Sequence, residues 1–377
     1  MNKSSTIVVF ANSLGGLFSF RKEVVKTLID KGYYIIIAAP PCNNSKGDYF
    51  SEIGCHVENV NIDRRGTNPL KDLMLIWHYF QVMRRYRPLV VLTYTIKPNV
   101  YGGIISRLFH VPQIANITGL GTAIENSGPL QGFATFMYRW GLKKTRRVFC
   151  QNQLILDFCS KKNIGKDRVL IPGSGVNLKW HTFHQYPIEG LKMVFNFIGR
   201  VMKNKGIEEY LETAQTIREK YPQTEFHVLG RCEEHYEEQL KSLQDEGIIV
   251  WHGCVPDVRP YIQASWCTIH PSYHEGMANV LLETCAAGRP VITSDINGCK
   301  EAVDDGINGF LCKVKDAQDL TEKVERFINT PYKQKVQMGL AARMKVEREF
   351  DRNIIVDAYL DEINKIGLCT NTSSNAF

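Results

Sequence analysis

The sequence has 377 residues, of which 44% are hydrophobic and 23% are charged. This length is too great for one comfortable core and fits two domains of roughly 150 to 200 residues each. The composition is that of a globular protein and excludes a disordered or membrane-embedded chain. Eleven cysteines occur singly, which predicts reduced thiols in a cytosolic protein. The brief apolar run near the N-terminus predicts a first strand rather than a signal peptide, and no apolar run is long enough to predict a membrane-spanning helix.

The positive charge is concentrated in the first half of the chain. Residues 1–180 contain 24 Lys and Arg against 10 Asp and Glu, whereas the remainder contains 22 against 29. The first half therefore carries a formal charge of +14 and the second half −7. This asymmetry indicates that the first half faces something anionic. Nucleic acid, a membrane surface and a phosphorylated substrate are all compatible with it.

Short β-branched runs alternate with amphipathic stretches from the first residues onward. The predicted strands are, in chain order, TIVVFA, YYIIIAAP, LVVLTY, PQIANIT, RRVFCQN, RVLIP, MVFNFIGR, TEFHVLG, GIIVWHG, WCTIHPS and PVITS. Strands that alternate with helices form parallel sheets, because a parallel crossover needs a connection of helix length. The pattern therefore predicts two Rossmann-like α/β domains, residues 1–180 and 190–345. A linker is predicted within residues 173–190 and a disordered tail at 367–377.

Paired glycines follow the first predicted strand. Gly15 and Gly16, in ANSLGGLFSFR, would let the backbone approach a ligand at a helix N-terminus, which attracts anions. A tight strand-to-helix turn is the plain alternative. The dinucleotide pattern G-x-G-x-x-G is absent at this position, which argues against a nicotinamide or flavin enzyme.

A second glycine-containing turn, FIGRVMKNKG, follows the first strand of the second domain. Gly199 ends that strand and Gly206 precedes the next helix, with Arg200 and Lys205 between them. Arg offers a two-pronged fork for phosphate oxygens and Lys a movable point charge, so the pair suits a diphosphate. A solvated basic loop is the alternative.

The segment HPSYHEGMANVLLE, residues 270–283, places two glutamates around the start of a predicted helix. Glu275 lies in a loop that a proline and a glycine interrupt, and the helix is predicted to begin with Asn279 as its N-cap and to end near Gly288. Helical side chains lean toward the N-terminus, so Glu283 is predicted to point into the same pocket as Glu275. The N–H groups near Asn279 and Val280 would then offer an anion site between the two carboxylates.

Two other interpretations of this segment are open. His270, His274 and Glu275 could bind a metal, but histidines four residues apart converge on one ion only on a helix, and Pro271 makes a helix unfavourable here. Alternatively, both glutamates could be surface residues. Glu283, however, lies within the apolar run VLLETCAA, where an unpaired carboxylate would be strongly destabilising.

Residues 271–311, PSYHEGMANVLLETCAAGRPVITSDINGCKEAVDDGINGFL, resemble the nucleotide-sugar-binding segment of the family 4 retaining glycosyltransferases of GT-B fold. GRVMKNKG resembles that family's diphosphate-binding turn, and LGRCEE and HGCVPDV resemble its base-facing loops. In the first domain, TYTIKPNVYGGIISRLFHVPQIANITGLG resembles the subgroup that builds capsule, O-antigen and glycoprotein-glycan units on lipid carriers. The resemblance implies two Rossmann-like domains facing across a cleft, with a C-terminal helix at about 350–366 packing back on the first.

The resemblance also implies roles for single residues. Glu275 would bind hydroxyls of the donor sugar and Glu283 those of the ribose. Arg200 and Lys205 would hold the diphosphate, so that these two and Glu275 are the predicted catalytic residues. The predicted donor-binding set is Gly15, Gly16, Gly199, Arg200, Lys205, Gly230, Val255, Glu275, Gly276, Met277, Ala278, Asn279, Val280 and Glu283. The acceptor-side candidates are Lys97, Thr118 and Glu125. The loop ITGLGTAIE lacks the histidine that many relatives carry near the donor sugar.

The predicted activity is transfer of a hexose or N-acetylhexosamine from a UDP-sugar to a saccharide on a polyprenyl diphosphate, with retention of configuration, in bacterial surface polysaccharide or glycan synthesis. The resemblance implies attack by the acceptor hydroxyl on the face that the phosphate leaves, with the phosphate taking the proton. Neither a metal nor another cofactor is expected. A nucleotide-sugar epimerase of the same fold is the alternative activity.

Two basic aromatic segments, LIWHYFQVMRRYRP and LQGFATFMYRWGLKKTRRVF, predict that the first domain binds an anionic membrane surface. Core helices with solvated basic ends are the alternative. The expected partners are thus a UDP-sugar, a polyprenyl-diphosphate-linked acceptor and that membrane surface. A nucleic-acid partner is not predicted, because no helix-turn-helix, zinc or RNA-binding signature occurs. The predicted location is the cytoplasmic face of the plasma membrane.

Overall fold

The computed structural model describes residues 5–42, 45–63, 68–119 and 129–374. The chain divides into two compact units. The first consists of Met1–Ser174 and Arg352–Phe377, and the second of Gly175–Asp351. Most of the predicted linker, residues 173–190, therefore belongs to the second unit, which also extends six residues beyond the predicted end at 345.

The first unit is built on one parallel sheet. Its described elements are β1 Thr6–Phe10, α1 Leu14–Asp30, β2 Tyr34–Ala39, α2 Ser45–Glu52, β3 His56–Asn59, α3 Pro69–Tyr86, β4 Val90–Tyr94, α4 Ile96–Leu108, β5 Gln113–Ile117, α5 Pro129–Gly141, β6 Arg147–Cys150, α6 Gln153–Lys161 and β7 Arg168–Leu170. The strand order is β3-β2-β1-β4-β5-β6-β7, with every pairing parallel. β1, β2, β4 and β5 are almost wholly buried, as expected for strands covered by helices on both faces.

The last helix of the chain, α13 at Arg352–Ser374, completes the first unit. Ile355, Tyr359 and Ile363 recur every four residues and enter the core formed by β1, β2 and α1. The hydroxyl of Tyr359 accepts a 3.1 Å hydrogen bond from Asn116 on β5. The prediction of a C-terminal helix packing on the first domain is confirmed. The helix continues to Ser374, however, whereas the sequence predicts a disordered tail from residue 367.

The second unit repeats the same architecture. Its elements are β8 Met193–Ile198, a 3-10 turn at Lys203–Lys205, α7 Ile207–Lys220, β9 Thr224–Leu229, α8 Glu237–Asp245, β10 Ile249–Gly253, α9 Arg259–Ala264, β11 Cys267–His270, α10 Asn279–Ala286, β12 Val291–Ser294, a 3-10 turn at Lys300–Ala302, β13 Gly309–Cys312, α11 Ala317–Asn329 and α12 Tyr332–Glu349. The sheet order is β10-β9-β8-β11-β12-β13. The prediction of two Rossmann-like α/β domains is therefore confirmed.

The strand order of the second sheet reverses between β8 and β11. β9 and β10 extend the sheet on one side of β8, whereas β11, β12 and β13 extend it on the other. The loops after β8 and β11 consequently leave the sheet next to each other at its carboxyl edge. In open parallel sheets this position is where ligands bind.

Two strands escape prediction, and both are edge strands that pair with a buried neighbour. β3 has the sequence HVEN, is half to fully exposed and pairs with β2; β13 pairs with β12. None of the helices in the described ranges combines the length and apolar character needed to cross a bilayer.

Candidate functional site

Backbone contacts between glycines set the carboxyl edge of the second sheet. Gly199, after β8, donates its N–H to the Leu229 carbonyl at 2.9 Å, and Gly230, after β9, donates to the Gly253 carbonyl at 2.8 Å. Gly230 has a φ of +156°, and a Cβ there would stand 1.6 Å from the Gly199 oxygen. Only glycine fits this approach. The predicted donor-binding residues Gly199 and Gly230 thus lie side by side.

The loops after β8 and β11 are joined to each other. The Tyr273 N–H donates to the Asn204 carbonyl at 3.0 Å. Gly206 has a φ of +73°, and a Cβ there would meet the Pro271 carbonyl oxygen at 2.0 Å. The loop after β11 therefore lies directly against the 3-10 turn that carries Lys205. This contact holds two segments together that are about 70 residues apart in sequence.

Lys205, Glu275 and His270 form a charged cluster at this junction. The Lys205 Nζ makes a short contact with Glu275 Oε1. The same oxygen accepts a 2.9 Å hydrogen bond from Nε2 of His270, which carries the proton there because an ionised carboxylate only accepts. The Lys205 and Glu275 side chains are 16% and 13% exposed, and His270 is buried. The cluster is therefore largely shielded from water, which strengthens its electrostatic interactions.

These neighbours decide the ionisation of Glu275. Burial would raise the pKa of its carboxyl, but the hydrogen bond and charge of His270 and the charge of Lys205 outweigh burial and lower the pKa to about 2. Glu275 is therefore a carboxylate at neutral pH. A carboxylate in this position can accept hydrogen bonds from hydroxyl groups and cannot act as an acid.

Arg200, the other predicted phosphate-binding cation, lies on the more open side of the same loop. Its Nη1 donates to Glu233 at 2.9 Å, with the Arg200 side chain 48% exposed. Glu233 belongs to the predicted base-facing loop LGRCEE, which pairs with the loop after β8 through Val201 and Cys232. The exposed ion pair is weak, so a phosphate ligand could readily replace Glu233.

Helix α10 begins at Asn279, as predicted, but its N-cap is Ala278 and no side chain caps it. The prediction of Asn279 as N-cap is wrong, because the chain entering the helix is held by Ala278, whose N–H donates to the Gly298 carbonyl at 2.7 Å. Asn279 instead donates to the Met277 carbonyl at 3.2 Å, and its Oδ1 is buried without a partner among the described residues. The first N–H groups of α10 lack helical acceptors and suit an anion.

The C-terminal half of α10 also agrees with the sequence pattern. The helix ends at Ala286, and Gly288 follows with a φ of +75°, which confirms the predicted stop. Glu283 lies on this helix with 26% of its side chain exposed, and Nε2 of His181 is 4.0 Å from its Oε1. Glu275 and Glu283 thus have different neighbours, and their predicted division into sugar and ribose contacts stays a prediction.

The remaining predicted donor-binding residues surround the start of α10. Gly298, with a φ of +89°, approaches the carbonyls of Glu275 and Gly276 so closely that a Cβ would stand 2.5 and 2.9 Å away. Met277 and Ala278 are buried. Val255 and Val280 share one small apolar cluster, which places the base-facing loop HGCVPDV against the first turn of α10.

In the first unit, Gly16 and Lys97, two of the predicted site residues, contact neighbouring residues of the same unit. Gly15 and Gly16 lie inside the first turn of α1, and the Gly16 N–H donates to the N-cap Ser13 hydroxyl at 3.1 Å. Lys97 contacts Asp72 at 2.6 Å and is 15% exposed. Thr118 is half-buried after β5. Glu125 lies outside the described residues.

The metal-binding alternative for the second unit lacks support in the geometry. Nε2 of His270 is bonded to Glu275, and His274 is exposed. Among the described residues, no three His, Cys, Asp or Glu side chains are grouped so that they could hold a metal ion. The role of His270 as a partner of Glu275 is not predicted by the sequence. Its position at the carboxyl end of a central strand is the signal that could have indicated it.

Two protein families match different parts of the chain. "Glycosyl transferase 4-like" matches residues 8–152, and "Glycosyl transferases group 1" matches residues 192–330. The chain is a glycosyltransferase, with one matched domain in each unit. The predicted resemblance to family 4 glycosyltransferases of GT-B fold is confirmed, and so is glycosyltransferase activity as the enzyme class, whereas retention of configuration stays a prediction.

Relatives of this glycosyltransferase share its length but only a modest part of its sequence. An N,N'-diacetylbacillosaminyl-diphospho-undecaprenol alpha-1,3-N-acetylgalactosaminyltransferase of Campylobacter jejuni is 22% identical, with 93% of this chain and 96% of the relative covered. A UDP-Gal:alpha-D-GlcNAc-diphosphoundecaprenol alpha-1,3-galactosyltransferase of Escherichia coli is 23% identical, with 79% and 82% covered.

Solved structures show the same fold. A glycosyltransferase of Rickettsia africae aligns with a TM-score of 0.80 at 18% identity, covering 97% of this chain and 99% of the other. The Anabaena protein HepE, crystallised with UDP and glucose, aligns with a TM-score of 0.77 at 16% identity, covering 96% and 100%. At these identities the likeness concerns the fold of the glycosyltransferase alone.

Proposed function

We propose that this glycosyltransferase moves a hexose or N-acetylhexosamine from a UDP-sugar to a saccharide on a polyprenyl diphosphate, with retention of configuration. The observation that carries the proposal is the shielded contact of Lys205 with Glu275 where the strand order reverses. There, one ammonium group and one carboxylate lie within reach of a single ligand. The names of two relatives specify diphospho-undecaprenol saccharides, which supports a lipid-linked acceptor in bacterial polysaccharide or glycan synthesis.

Glu275 suits the sugar of the donor, and Lys205 suits its diphosphate. Glu275 is ionised at neutral pH, so it accepts hydrogen bonds from sugar hydroxyls. Lys205 and Arg200 supply positive charge for the diphosphate, and the N–H groups at the start of α10 add to it. A cation placed at the leaving phosphate stabilises the transition state more than the ground state, because negative charge grows there as the bond breaks.

In the proposed step the bond between the sugar C1 and the β-phosphate oxygen breaks, and UDP leaves with the electron pair. The acceptor oxygen forms the new bond to C1 on the same face. The acceptor's hydroxyl proton passes to the departing phosphate, so the step needs no protein base. This step therefore does not depend on a protein base among the described residues of the first unit. It also predicts activity without a metal.

The test is a panel of UDP-sugars incubated with polyprenyl-diphosphate saccharides, with product mass as the readout. Lys205→Ala and Glu275→Ala should each lower kcat/KM by about a hundredfold or more. Lys192→Ala and Glu225→Ala are matched controls, because they break an exposed Lys–Glu pair of the same unit and should leave transfer unchanged. Wild-type rates in both site variants with every donor would overturn the site assignment.

Three further readouts belong to the same assay. The anomeric coupling of the product by NMR decides between retention and inversion. A chelator should leave the rate unchanged if no metal takes part. Conversion of the nucleotide sugar in the absence of any acceptor would instead indicate the epimerase activity.

We further propose that the first unit binds the acceptor at an anionic membrane. Large apolar side chains project from two of its helices, α3 and α5. This aromatic face consists of Leu70, Leu73, Met74, Trp77, Phe133, Phe136 and Trp140, each at least 46% exposed. Helix α4 packs against both helices, and with α3 it lines an apolar groove of about 560 Å³ that contains the stacked rings of Trp77 and Phe80. Exposed apolar side chains beside an apolar groove are typical of an interaction surface.

The charge around the aromatic face supports an anionic surface as its partner. Residues 68–119 contain six Lys and Arg but a single acid, Asp72, which Lys97 contacts. Two cations of the basic aromatic segments are paired within the unit: Arg85 contacts Glu58 at 3.0 Å and Arg147 contacts Glu362 at 2.8 Å. An apolar face bordered by cations is the pattern of proteins that bind membrane interfaces.

Sedimentation with lipid vesicles tests the membrane proposal. The wild type should bind phosphatidylcholine vesicles containing phosphatidylglycerol and bind pure phosphatidylcholine weakly. Trp77→Ser with Phe136→Ser should abolish binding. Leu191→Ser with Ile307→Ser is the matched control, because both residues are about as exposed but lie in the second unit. Equal binding by both double variants would refute a role for the aromatic face.

A further inference from the structure

A segment with the composition of a linker, residues 177–185, is fastened along its length to the second unit. Asn177 Oδ1 accepts hydrogen bonds of 3.0 Å from the N–H groups of Lys179 and Trp180. Arg343 on α12 then donates to the His181 carbonyl at 3.0 Å and to the Ala286 carbonyl, at the end of α10, at 2.7 Å. The 177–185 segment therefore holds a fixed position against α10, the helix that carries Glu283.

This attachment places the His181 side chain between two carboxyl groups. Its Nε2 lies 4.0 Å from Oε1 of Glu283, and the imidazole is 13% exposed. The other carboxyl group is Asp257, whose pKa is lowered chiefly by the hydrogen bond from Arg259 and to a smaller extent by the charge of His181. At 4.0 Å the attraction between His181 and Glu283 depends on charge, so it is strong only when the imidazole is protonated.

An ion pair and an aromatic ring form the other side of this region. Arg259 binds Asp257 through two nitrogens, with distances of 2.9 and 2.7 Å, and its guanidinium stacks on the Trp180 ring at 3.8 Å. These groups and His184 line a cavity of about 280 Å³ together with His181. The pKa of His184 is lowered by burial and by the nearby Arg289, so the His184 ring is neutral at pH 7.

We propose that His181 is a positioning residue for Glu283, holding its carboxylate in the orientation that accepts the ribose hydroxyls of the donor. The inference rests on the proposed function, in which Glu283 contacts the ribose. Charged groups lie near His181 on three elements: Glu283 on α10, Asp257 and Arg259 at the start of α9, and Arg343 on α12, which donates to the His181 carbonyl. The neutral ring of His184 lines the same cavity. The attraction to Glu283 requires the protonated imidazole, so donor affinity should be highest where His181 carries a proton.

Calorimetry with UDP and 2'-deoxy-UDP tests the proposal, because only UDP has the complete ribose diol. His181→Gln should weaken UDP binding roughly fivefold, with a much smaller effect on 2'-deoxy-UDP. In transfer assays the donor KM should rise and kcat should stay nearly constant, as expected when binding alone is lost. The wild-type affinity should fall as the pH rises from about 6 to 8, and the Gln variant should lack this dependence.

Two further variants complete the test. His181→Lys keeps a positive charge at both pH values and should bind UDP as the wild type does at pH 6, which a merely structural role would not produce. His184→Gln changes the other histidine of the same cavity and should leave UDP affinity unchanged.

Glu283→Gln separates the possible failures. If it weakens UDP binding while His181→Gln does not, the role of His181 is refuted and the proposed function stands. If Glu283→Gln leaves UDP binding unchanged, the ribose contact itself is wrong, and the role of His181 falls with it. Donor transfer by the Lys205 and Glu275 variants remains an independent measure of the proposed activity.

Discussion

Replacement of Glu275 by Gln should lower the stability of the second unit in a strongly pH-dependent way. Burial alone would raise the pKa of this carboxyl, but His270 and Lys205 lower it from 4.5 to about 2. Each pKa unit corresponds to about 1.4 kcal/mol, so the ionised form contributes roughly 3 kcal/mol relative to the neutral form at pH 7. Gln has nearly the same shape without the charge and should forfeit most of that contribution.

The direction of the pH dependence follows from the depressed pKa. A carboxyl with a lower pKa in the folded state contributes its full stability above the unfolded-state value of 4.5 and loses it as the pH falls toward 2. The difference between wild type and Glu275→Gln should therefore shrink from about 3 kcal/mol at pH 7 to about 1 kcal/mol at pH 3.

Tryptophan fluorescence can isolate the second unit for this measurement. Trp77 and Trp140 lie in the first unit, whereas Trp180, Trp251 and Trp266 lie in the second. In a background with Trp77→Phe and Trp140→Phe, urea unfolding followed by fluorescence reports on the second unit, chiefly through the buried Trp266. A loss below about 1 kcal/mol at pH 7, or an equal loss at pH 3 and pH 7, would refute the reasoning that the charged cluster stabilises the fold.

Three other substitutions have clear expected outcomes. Gly206→Ala should destabilise the second unit by more than about 1 kcal/mol and raise the donor KM, because its φ is +73° and a Cβ would lie 2.0 Å from the Pro271 carbonyl oxygen; urea unfolding and donor kinetics measure both effects. His227 and His252 contact each other at 3.3 Å, and the pKa of each is lowered from 6.5, first by burial. Stability is thus full above pH 6.5 and falls as the pH decreases, and His252→Phe should make that fall shallower in urea unfolding between pH 7 and 5. Tyr359→Phe removes the hydroxyl that accepts a hydrogen bond from the buried side-chain amide of Asn116. It should lower the free energy of unfolding by about 1 to 2 kcal/mol, measured as a lower melting temperature.

Most of the strands that the sequence predicts are identified by their own runs of apolar and β-branched residues. Runs such as YIIIAA in β2 are buried along almost their whole length, so composition alone identifies them. β3 and β13 are strands because of their partners: His56–Asn59 pairs with β2, and Gly309–Cys312 pairs with β12. A strand of four residues is too short to show a clear alternation, and pairing over a distance in sequence leaves no local periodicity to detect.

The sequence likewise predicts those features of the site that depend on neighbouring residues and misses those that depend on distant ones. Local spacing places Glu275 in a loop and Glu283 on a helix, because proline, glycine and helical periodicity act over a few residues. The contact of Lys205 with Glu275 depends instead on two neighbouring strands whose loops meet. Asn279 loses its predicted capping role to a backbone contact of Ala278 with another loop. These arrangements follow from the sheet order, which no single segment encodes.

The contact of Lys205 with Glu275 also determines how the site's variants must be interpreted. Lys205 and Glu275 contact each other in a shielded environment, so removing one leaves the other buried and less well compensated. Hydroxyl groups of a sugar and oxygens of a diphosphate would each approach one member of this pair. The binding of the two parts of the donor is therefore coupled through the protein, and the effects of Lys205→Ala and Glu275→Ala should not add. Loss of activity in either variant measures the pair, and only His270, which contacts Glu275 alone in this cluster, offers a way to perturb the carboxylate while leaving the cation in place.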